Sequence, residues 1–481
     1  MTTGSAPELS VGRILAATRG KLIRGRDRGV FTGLGTDSRR LNPGFLYVAL
    51  KGERFDGHDY LDEAMEKGAG GFLVHRDDGK ERGDAPSILV EDTLVALGDI
   101  AHDWRRAFSI PVIAVTGSSG KTTTKEMAAC ILSRTKNILK TQGNFNNLIG
   151  LPLTLMNLTG DHEIAIVELG TNKPGEIARL TEIAEPDITV ITNIGPAHLE
   201  GFGSMDGVWS EKSDIFRFMP AGGTAVINLD DDYIRQFAGS FTGKCVTFGF
   251  GNDADVTAQE IRYDGAKGVR FTLRIREIKN DVVMTVSGRH NISNALAAAA
   301  LAWAAGASYD DIRRGLEDFK PVAGRMEIIP LKNGAFVIND AYNANPASVG
   351  EALNTLQTLK GRGKGIAILG DMLELGDEAE IRHRDIGGLL ADTEVNYAYL
   401  RGRLAQATAA GALDEGMIEG QVICFTDPVE IMNSLLSRIG PGDWILVKGS
   451  RQMKMEELVE HLVAAVGRLE GTSSPVKEGK A

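Results

Sequence analysis

The sequence reads as an α/β protein in three domains: a small α/β N-terminal domain, a central phosphate-loop ATPase domain on a parallel sheet, and a C-terminal Rossmann-like domain. Three observations carry this reading. An apolar strand pattern at 112–115 runs into a turn of small residues and then into a helix pattern. Further strand patterns at 164–169, 188–194 and 224–228 alternate with helices, which is the signature of a parallel sheet covered on its faces. From Gly324 onward the alternation restarts, with strand patterns at 335–339, 365–369, 396–400, 421–425 and 443–447.

The elements follow in order. In residues 1–108 a strand pattern at 45–50 leads into turn chemistry (Lys51 to His58), then a helix at about 59–68 and a strand at 71–74. Pro111 opens the next strand, which puts the first boundary near 108. In residues 109–323 the helix after the turn carries Met127, Ala128, Ile131 and Leu132 on one face. A later helix from Pro174 aligns Ile177, Leu180 and Ile183 and stops before Pro186. Residues 255–288 read as short antiparallel strands, and an Ala-rich helix follows. The third domain runs over 324–468, and a polar tail over 469–481 is expected to be disordered.

Composition narrows the function. At 481 residues the chain is too long for a single core. A net charge of −11 argues against nucleic acid or an anionic membrane as partner. Cys130, Cys245 and Cys424 lie far apart and offer neither a disulfide framework nor a metal cluster. No apolar run reaches spanning length and the N-terminus lacks a signal-peptide layout, so a cytoplasmic location is expected.

The turn after the first central strand carries the most chemistry. Thr-Gly-Ser-Ser-Gly-Lys-Thr-Thr (116–123) joins a strand to a helix, where backbone N–H groups can cradle phosphates. Lys121 would reach the terminal phosphates and the Thr122 hydroxyl could ligate Mg²⁺. The spacing is imperfect, because the leading glycine stands at Gly117 and not at position 115. Glu168 ends an apolar strand, where open α/β sheets place their ligands, and His198 and Glu200 follow the next one. Taken alone, Lys212 reads as a solvated helix lysine, His198 as a structural or solvated histidine, and Asn291 and Asn294 as capping residues. Asn144, Asn146 and Asn147 form an amide cluster too dense for a core. The loop 339–346 (Asn-Asp-Ala-Tyr-Asn-Ala-Asn-Pro) reads both as a binding loop and as Asx-turn chemistry before a helix. Lys448-Gly-Ser-Arg451 offers cations at a strand end.

Together these segments resemble the Mur ligases, the ATP-dependent amide-forming enzymes of peptidoglycan precursor synthesis, from about residue 30 to 460. The phosphate loop has that family's form. Asn146–Thr154, Asp340–Pro346 and Leu369–Gly376 with His383 resemble the branch that adds D-alanyl-D-alanine to UDP-N-acetylmuramoyl-tripeptide. The resemblance implies ATP bound by Gly117, Ser118, Ser119, Gly120, Lys121, Thr122 and Thr123, with Asn291 and Asn294 on the adenine side and Arg325 and Asp340 reaching in from the C-terminal domain. It implies two Mg²⁺ ions held by Thr122, Glu168, His198 and a carbamylated Lys212. It implies a catalytic set of Lys121, Lys212 and His198. Thr36, Asp37, Ser38, Arg39, Lys51, Phe55, Asp56, Gly57 and His58, with Asn144 and Asn147, match the UDP-substrate pocket. Tyr342, Asn343, Asn345, Lys448, Ser450 and Arg451 fall on the dipeptide side. A monomer is expected. The competing readings are a folylpolyglutamate ligase and a motor-type phosphate-loop NTPase. Because Arg325 and Asp340 lie beyond the 323–324 boundary, they touch nucleotide only if the C-terminal domain swings in about Gly324, and an open form is expected without ligands.

Overall fold

The computed structural model describes residues 8–469; the expected disordered tail lies, from residue 470 on, outside them. Four sheets are described, and three of them carry the architecture.

The first is a five-stranded sheet in the spatial order Lys21–Arg24, Ser87–Leu89, Gly71–Val74, Phe45–Val48, Gly33–Gly35. Its strand at 45 ends two residues earlier than expected. The helix expected at 59–68 splits into a 3₁₀ turn, Gly57–Tyr60, and a short α-helix, Leu61–Glu66.

The second sheet has nine strands and holds the phosphate loop. Val112–Thr116 lies in the parallel part, between Ile164–Glu168 on one side and Ile188–Ile191 on the other. The chain therefore departs to opposite sides of this strand, and a crevice opens at its carboxyl end. The antiparallel strands expected within 255–288 do not form a separate sheet. Val256–Tyr263 pairs with the parallel strand Lys244–Phe248, and Val269–Ile275 and Ile278–Met284 continue the same sheet outward. Arg289–Ala304 is buried on nearly every face and packs on the phosphate-loop helix Lys121–Leu132. Its run of alanines lets two helices and a sheet approach closely, which explains a composition that is poor as an amphipathic pattern.

The third sheet has six strands, with Trp444–Lys448 between Phe336–Asp340 and Gly365–Gly370 and only the edge strand Glu327–Pro330 antiparallel. Core residues fill both faces, as a doubly wound domain requires. At the joint before it, Gly324 (φ +72°) and Met326 (φ +54°) are both left-handed, and Tyr342 N–H donates to the Gly324 carbonyl at 3.1 Å. The expected open arrangement is not what is found. The C-terminal domain touches the central one through Asn345 Nδ2 and the Ser118 carbonyl at 3.5 Å, through His290 and Glu351 at 3.8 Å, and through His198 and Glu374 at 2.5 Å.

Candidate active site

The phosphate loop is shaped by its neighbour strand. Ser119 N–H donates to Asn193 Oδ1 at 3.0 Å, and Asn193 Nδ2 donates back to the Ser119 carbonyl at 3.2 Å. Thr192 Oγ1 donates to the same carbonyl, and Ser118 exchanges hydrogen bonds with the Gly195 backbone at 2.9 and 3.0 Å. Asn193 falls at the end of the strand pattern 188–194, and only the tertiary fold puts it beside the loop. Gly120 caps the helix at φ +78°, and a Cβ there would stand 2.2 Å from Asn294 Oδ1. Gly120→Ala is therefore expected to destabilise the fold by about 1–3 kcal/mol through backbone strain alone. It should also weaken nucleotide binding, with denaturant unfolding and calorimetric titration as the measurements.

Lys121 Nζ donates to the Gly117 carbonyl at 2.7 Å. Burial lowers its pKa, the nearby charge of Arg325 lowers it further, and Glu168 opposes the change. Thr122 Oγ1 donates to Glu168 Oε2 at 2.8 Å, Asn146 Nδ2 donates to Oε1 at 2.9 Å, and Thr141 Oγ1 accepts from the Glu168 N–H at 3.0 Å. The fully buried Lys125 holds the Thr141 carbonyl at 2.7 Å. Thr123 is half-buried on the first helical turn.

Lys212 is not a solvated helix lysine. It is 1 % exposed, its amine has no ion-pair partner among the described residues, and burial followed by the charge of Lys121 brings its pKa down to about 7. Beside it the buried Glu211 accepts from Thr171 Oγ1, Gly175 N–H and Ile177 N–H at 2.6–2.9 Å, pinning the loop that follows Glu168. A hydroxyl and a carboxylate, one already hydrogen-bonded to the other, are the hard oxygen donors that Mg²⁺ takes. The residues present fit that ion.

Asn291 and Asn294 do not cap their helix, which starts at Arg289 behind Gly288. Asn291 Nδ2 donates to the Ser287 carbonyl at 2.8 Å, and Asn294 Oδ1 accepts from Thr124 Oγ1 at 3.4 Å, under the phosphate loop.

On the C-terminal side the predicted residues separate into two groups. Asn343, Asn345, Ser450 and Arg451 face Ser118, Lys121 and His198 across a cleft of about 150 Å³ that Leu373, Glu374 and Leu375 also line. Asp340, Lys448 and Tyr342 are occupied elsewhere. Lys448 forms a buried ion pair with Asp340 and donates to the Asn343 carbonyl at 3.0 Å, and Asp340 also accepts from Met326 N–H at 3.1 Å. Tyr342 lies under two guanidinium groups, Arg325 at 4.0 Å and Arg451 at 5.6 Å. Asn345 caps the helix Pro346–Lys360, so the Asx-turn reading of this loop holds as well.

In the N-terminal domain the helix Leu61–Glu66 lies against both predicted turns, Ser38–Arg40 and Gly57–Tyr60. Asp37 caps the first turn and pairs with Arg39 at 2.8 Å, which lowers its pKa; Ser38 Oγ donates to Glu63 at 3.2 Å, and Thr36 is half-buried. The backbones of Lys51 and Asp56 form an isolated antiparallel bridge across a tight turn that leaves Phe55 71 % exposed. Asp56 Oδ1 accepts from His58 Nδ1 at 2.7 Å, and His58 Nε2 accepts from the His75 N–H at 3.1 Å. His58 is therefore the neutral Nδ1–H tautomer, in keeping with a pKa lowered by burial. Asp56, His58 and His75 come within 4.8 Å of one another, but both His58 nitrogens are hydrogen-bonded and Asp56 is shared with Arg76, so the three do not present a free donor set for a metal. Asn144 is exposed, and Asn147 Oδ1 caps the helix Gly150–Leu155 by accepting from Gly150 N–H at 2.8 Å.

Family models described as Mur ligase family, catalytic domain; Mur ligase middle domain; and Mur ligase, glutamate ligase domain match residues 30–105, 115–302 and 324–451. The chain is 40 % identical over 434 residues to the UDP-N-acetylmuramoyl-tripeptide--D-alanyl-D-alanine ligase of Escherichia coli, covering 89 % of this chain and 92 % of that one. A crystal structure of MurF from Acinetobacter baumannii superposes with a TM-score of 0.86 at 34 % identity, over 95 % of this chain and 99 % of that one. The MurF ligase of Thermotoga maritima, solved in complex with ADP, gives 0.81 at 29 % identity over 90 % and 97 %.

Proposed function

As a chain that belongs to the Mur ligase family, the protein is an ATP-dependent peptide ligase, and we propose that it joins D-alanyl-D-alanine to UDP-N-acetylmuramoyl-tripeptide. The observation that carries this is the cleft itself. One wall is a phosphate loop with Lys121, and the facing wall is a second domain that presents amides, a hydroxyl and Arg451 to a small zwitterionic acceptor. A motor has no use for such a wall.

A carboxylate and an amine do not condense in neutral water. The tripeptide carboxylate attacks the γ-phosphorus, giving an acyl phosphate and ADP. The dipeptide amine then attacks the acyl carbon, and phosphate leaves from the tetrahedral intermediate. The first step brings an anion to an anion, so neutralising charge is the main task. We assign Lys121 to the γ-phosphate, and the loop Gly117–Thr123, through those of its amides that Asn193 does not already hold, to the remaining phosphates. Thr122, Glu168, His198 and Lys212, the last as its carbamate, would hold Mg²⁺, which supplies Lewis-acid neutralisation when bound. Arg325, held on Tyr342, adds positive charge from the C-terminal domain, while Asn291 and Asn294 back the loop on the adenine side. Asp340 and Lys448 serve by fixing the 340–345 loop; Asn343, Asn345, Ser450 and Arg451 receive the dipeptide. The turns at 36–39 and 51–58 receive the UDP moiety. Two facing domains also keep water from the acyl phosphate.

Among the described residues no helix is long and apolar enough to cross a membrane. A cytoplasmic, monomeric enzyme is part of the proposal, in keeping with nucleotide-linked substrates. The test is phosphate release from ATP against UDP-muramoyl peptides bearing lysine or diaminopimelate, with and without dipeptides. Release should require both a UDP-tripeptide and D-alanyl-D-alanine. Turnover with neither present, or with a folate and glutamate, overturns the reading.

A further inference from the structure

Glu374 stands in the cleft without a role in the nucleotide or dipeptide sets. It lies on the loop after the strand Gly365–Gly370, in the left-handed region at φ +64°. Across the cleft His198 is also left-handed, at φ +55°. Non-glycine residues hold that conformation only where surrounding structure imposes it, and such positions gather at functional sites. Here two of them, one on each domain, bring their side chains together: His198 Nδ1 is 2.5 Å from Glu374 Oε2, and among the described residues no other polar group hydrogen-bonds to that nitrogen.

The loop bearing Glu374 is braced from behind. Met372 N–H donates to His383 Nε2 at 3.0 Å, His383 Nδ1–H donates to the Ala379 carbonyl at 2.6 Å, and Leu373 N–H donates to Ser450 Oγ at 2.9 Å. In front, the Glu200 N–H donates to the Glu374 carbonyl at 3.4 Å.

We infer that Glu374 is a positioning residue for His198: the C-terminal domain carries the carboxylate that orients the central domain's imidazole, so the ring is set only when the two domains meet. A bare lone pair on Nδ1 would be repelled by a carboxylate oxygen this close, so Nδ1 bears the proton. In the neutral ring Nε2 then keeps its lone pair for a ligand, as in carboxylate–histidine pairs behind metal sites. What His198 contributes to turnover rests on the ligase reading; the contact between domains does not.

The test uses the full chain with Glu374→Ala, Glu374→Gln, His198→Ala and the double alanine variant. Glu374→Ala should lower kcat about 10–100-fold, the usual effect of removing such a partner, with the KM for ATP nearly unchanged. Glu374→Gln should fall between, because an amide oxygen still accepts. The double variant should be no slower than His198→Ala alone. Exposed Cys245 and Cys424, one on each domain, accept a dye pair after Cys130→Ser. Without substrates, energy transfer should fall equally in the single and double alanine variants. Wild-type kcat in Glu374→Ala, losses that multiply in the double variant, a change confined to the dipeptide KM, or unchanged energy transfer would each overturn the inference. If the wild type shows no dipeptide-dependent phosphate release, the ligase reading fails, and the energy-transfer arm still decides this one.

Discussion

Lys121→Ala is expected to end ligation while leaving the fold in place. The side chain is half-buried at the mouth of the phosphate loop, and its one described hydrogen bond is to the Gly117 carbonyl. Losing it leaves a single carbonyl short of a donor in a loop otherwise held by Thr192, Asn193 and Gly195. The chemical loss is far larger. A carboxylate has to approach a triphosphate, and a fixed cation in a dry site is worth about 3–4 kcal/mol, or 100- to 1,000-fold in kcat. Phosphate release measured beside an unchanged circular dichroism spectrum checks both halves. Near-normal turnover would remove Lys121 from the γ-phosphate.

Lys212→Ala is expected to be as damaging, and for a different reason. A buried ammonium with no partner is costly, and its pKa of about 7 says that the neutral amine is the main form above that pH. A neutral amine adds to CO₂ with loss of a proton, and the product is a carbamate anion that turns a cation into an oxygen ligand. Lowering the pH through 7 protonates the amine and withdraws the reactive form, so the modification should fade on the acid side. Activity in Lys212→Ala should fall at least 100-fold and return in part with added acetate or formate, which can occupy the vacated space. Intact-mass analysis under CO₂ gives the direct reading. No rescue by any short carboxylate, together with an unmodified amine, would count against the carbamate.

The phosphate loop, the strand ends that face it and the three-domain α/β architecture were legible because each rests on local patterns. A strand, a small-residue turn and a lysine at a helix start need no partner to be read. What escaped depends on distance in sequence. Lys212 looked like a surface lysine, since helical periodicity shows the face but not what covers it. Asp340 and Lys448 each read as free charges aimed at a ligand; only their pairing on neighbouring strands shows that they neutralise one another. Tyr342 read as a dipeptide contact, and two arginines cover its ring instead. Antiparallel strands were expected but not their fusion to the parallel sheet, because edge pairing leaves no mark in a single strand's composition. Glu374 carried no signal beyond its place in a family-like loop, as its partner lies on another domain.

The clamp of Thr192, Asn193 and Gly195 on the phosphate loop has a mechanical consequence. A loop whose amides are tied to the adjacent strand is already in its working shape, so binding a nucleotide has little ordering left to do there. The stiffness is confined to one wall. The facing wall hangs from a joint with two left-handed residues and meets the first through a few side chains and the Glu200–Glu374 backbone bond. One wall thus behaves as a stator and the other as the moving part, with their exchange rates set apart. Amide hydrogens at 118 and 119 should exchange slowly whether or not ATP is present. Those at 373–376 should slow only when the second domain is held down. The enzyme would then time its cycle by the arrival and departure of a domain, with the phosphate cradle as the fixed reference against which that movement is measured.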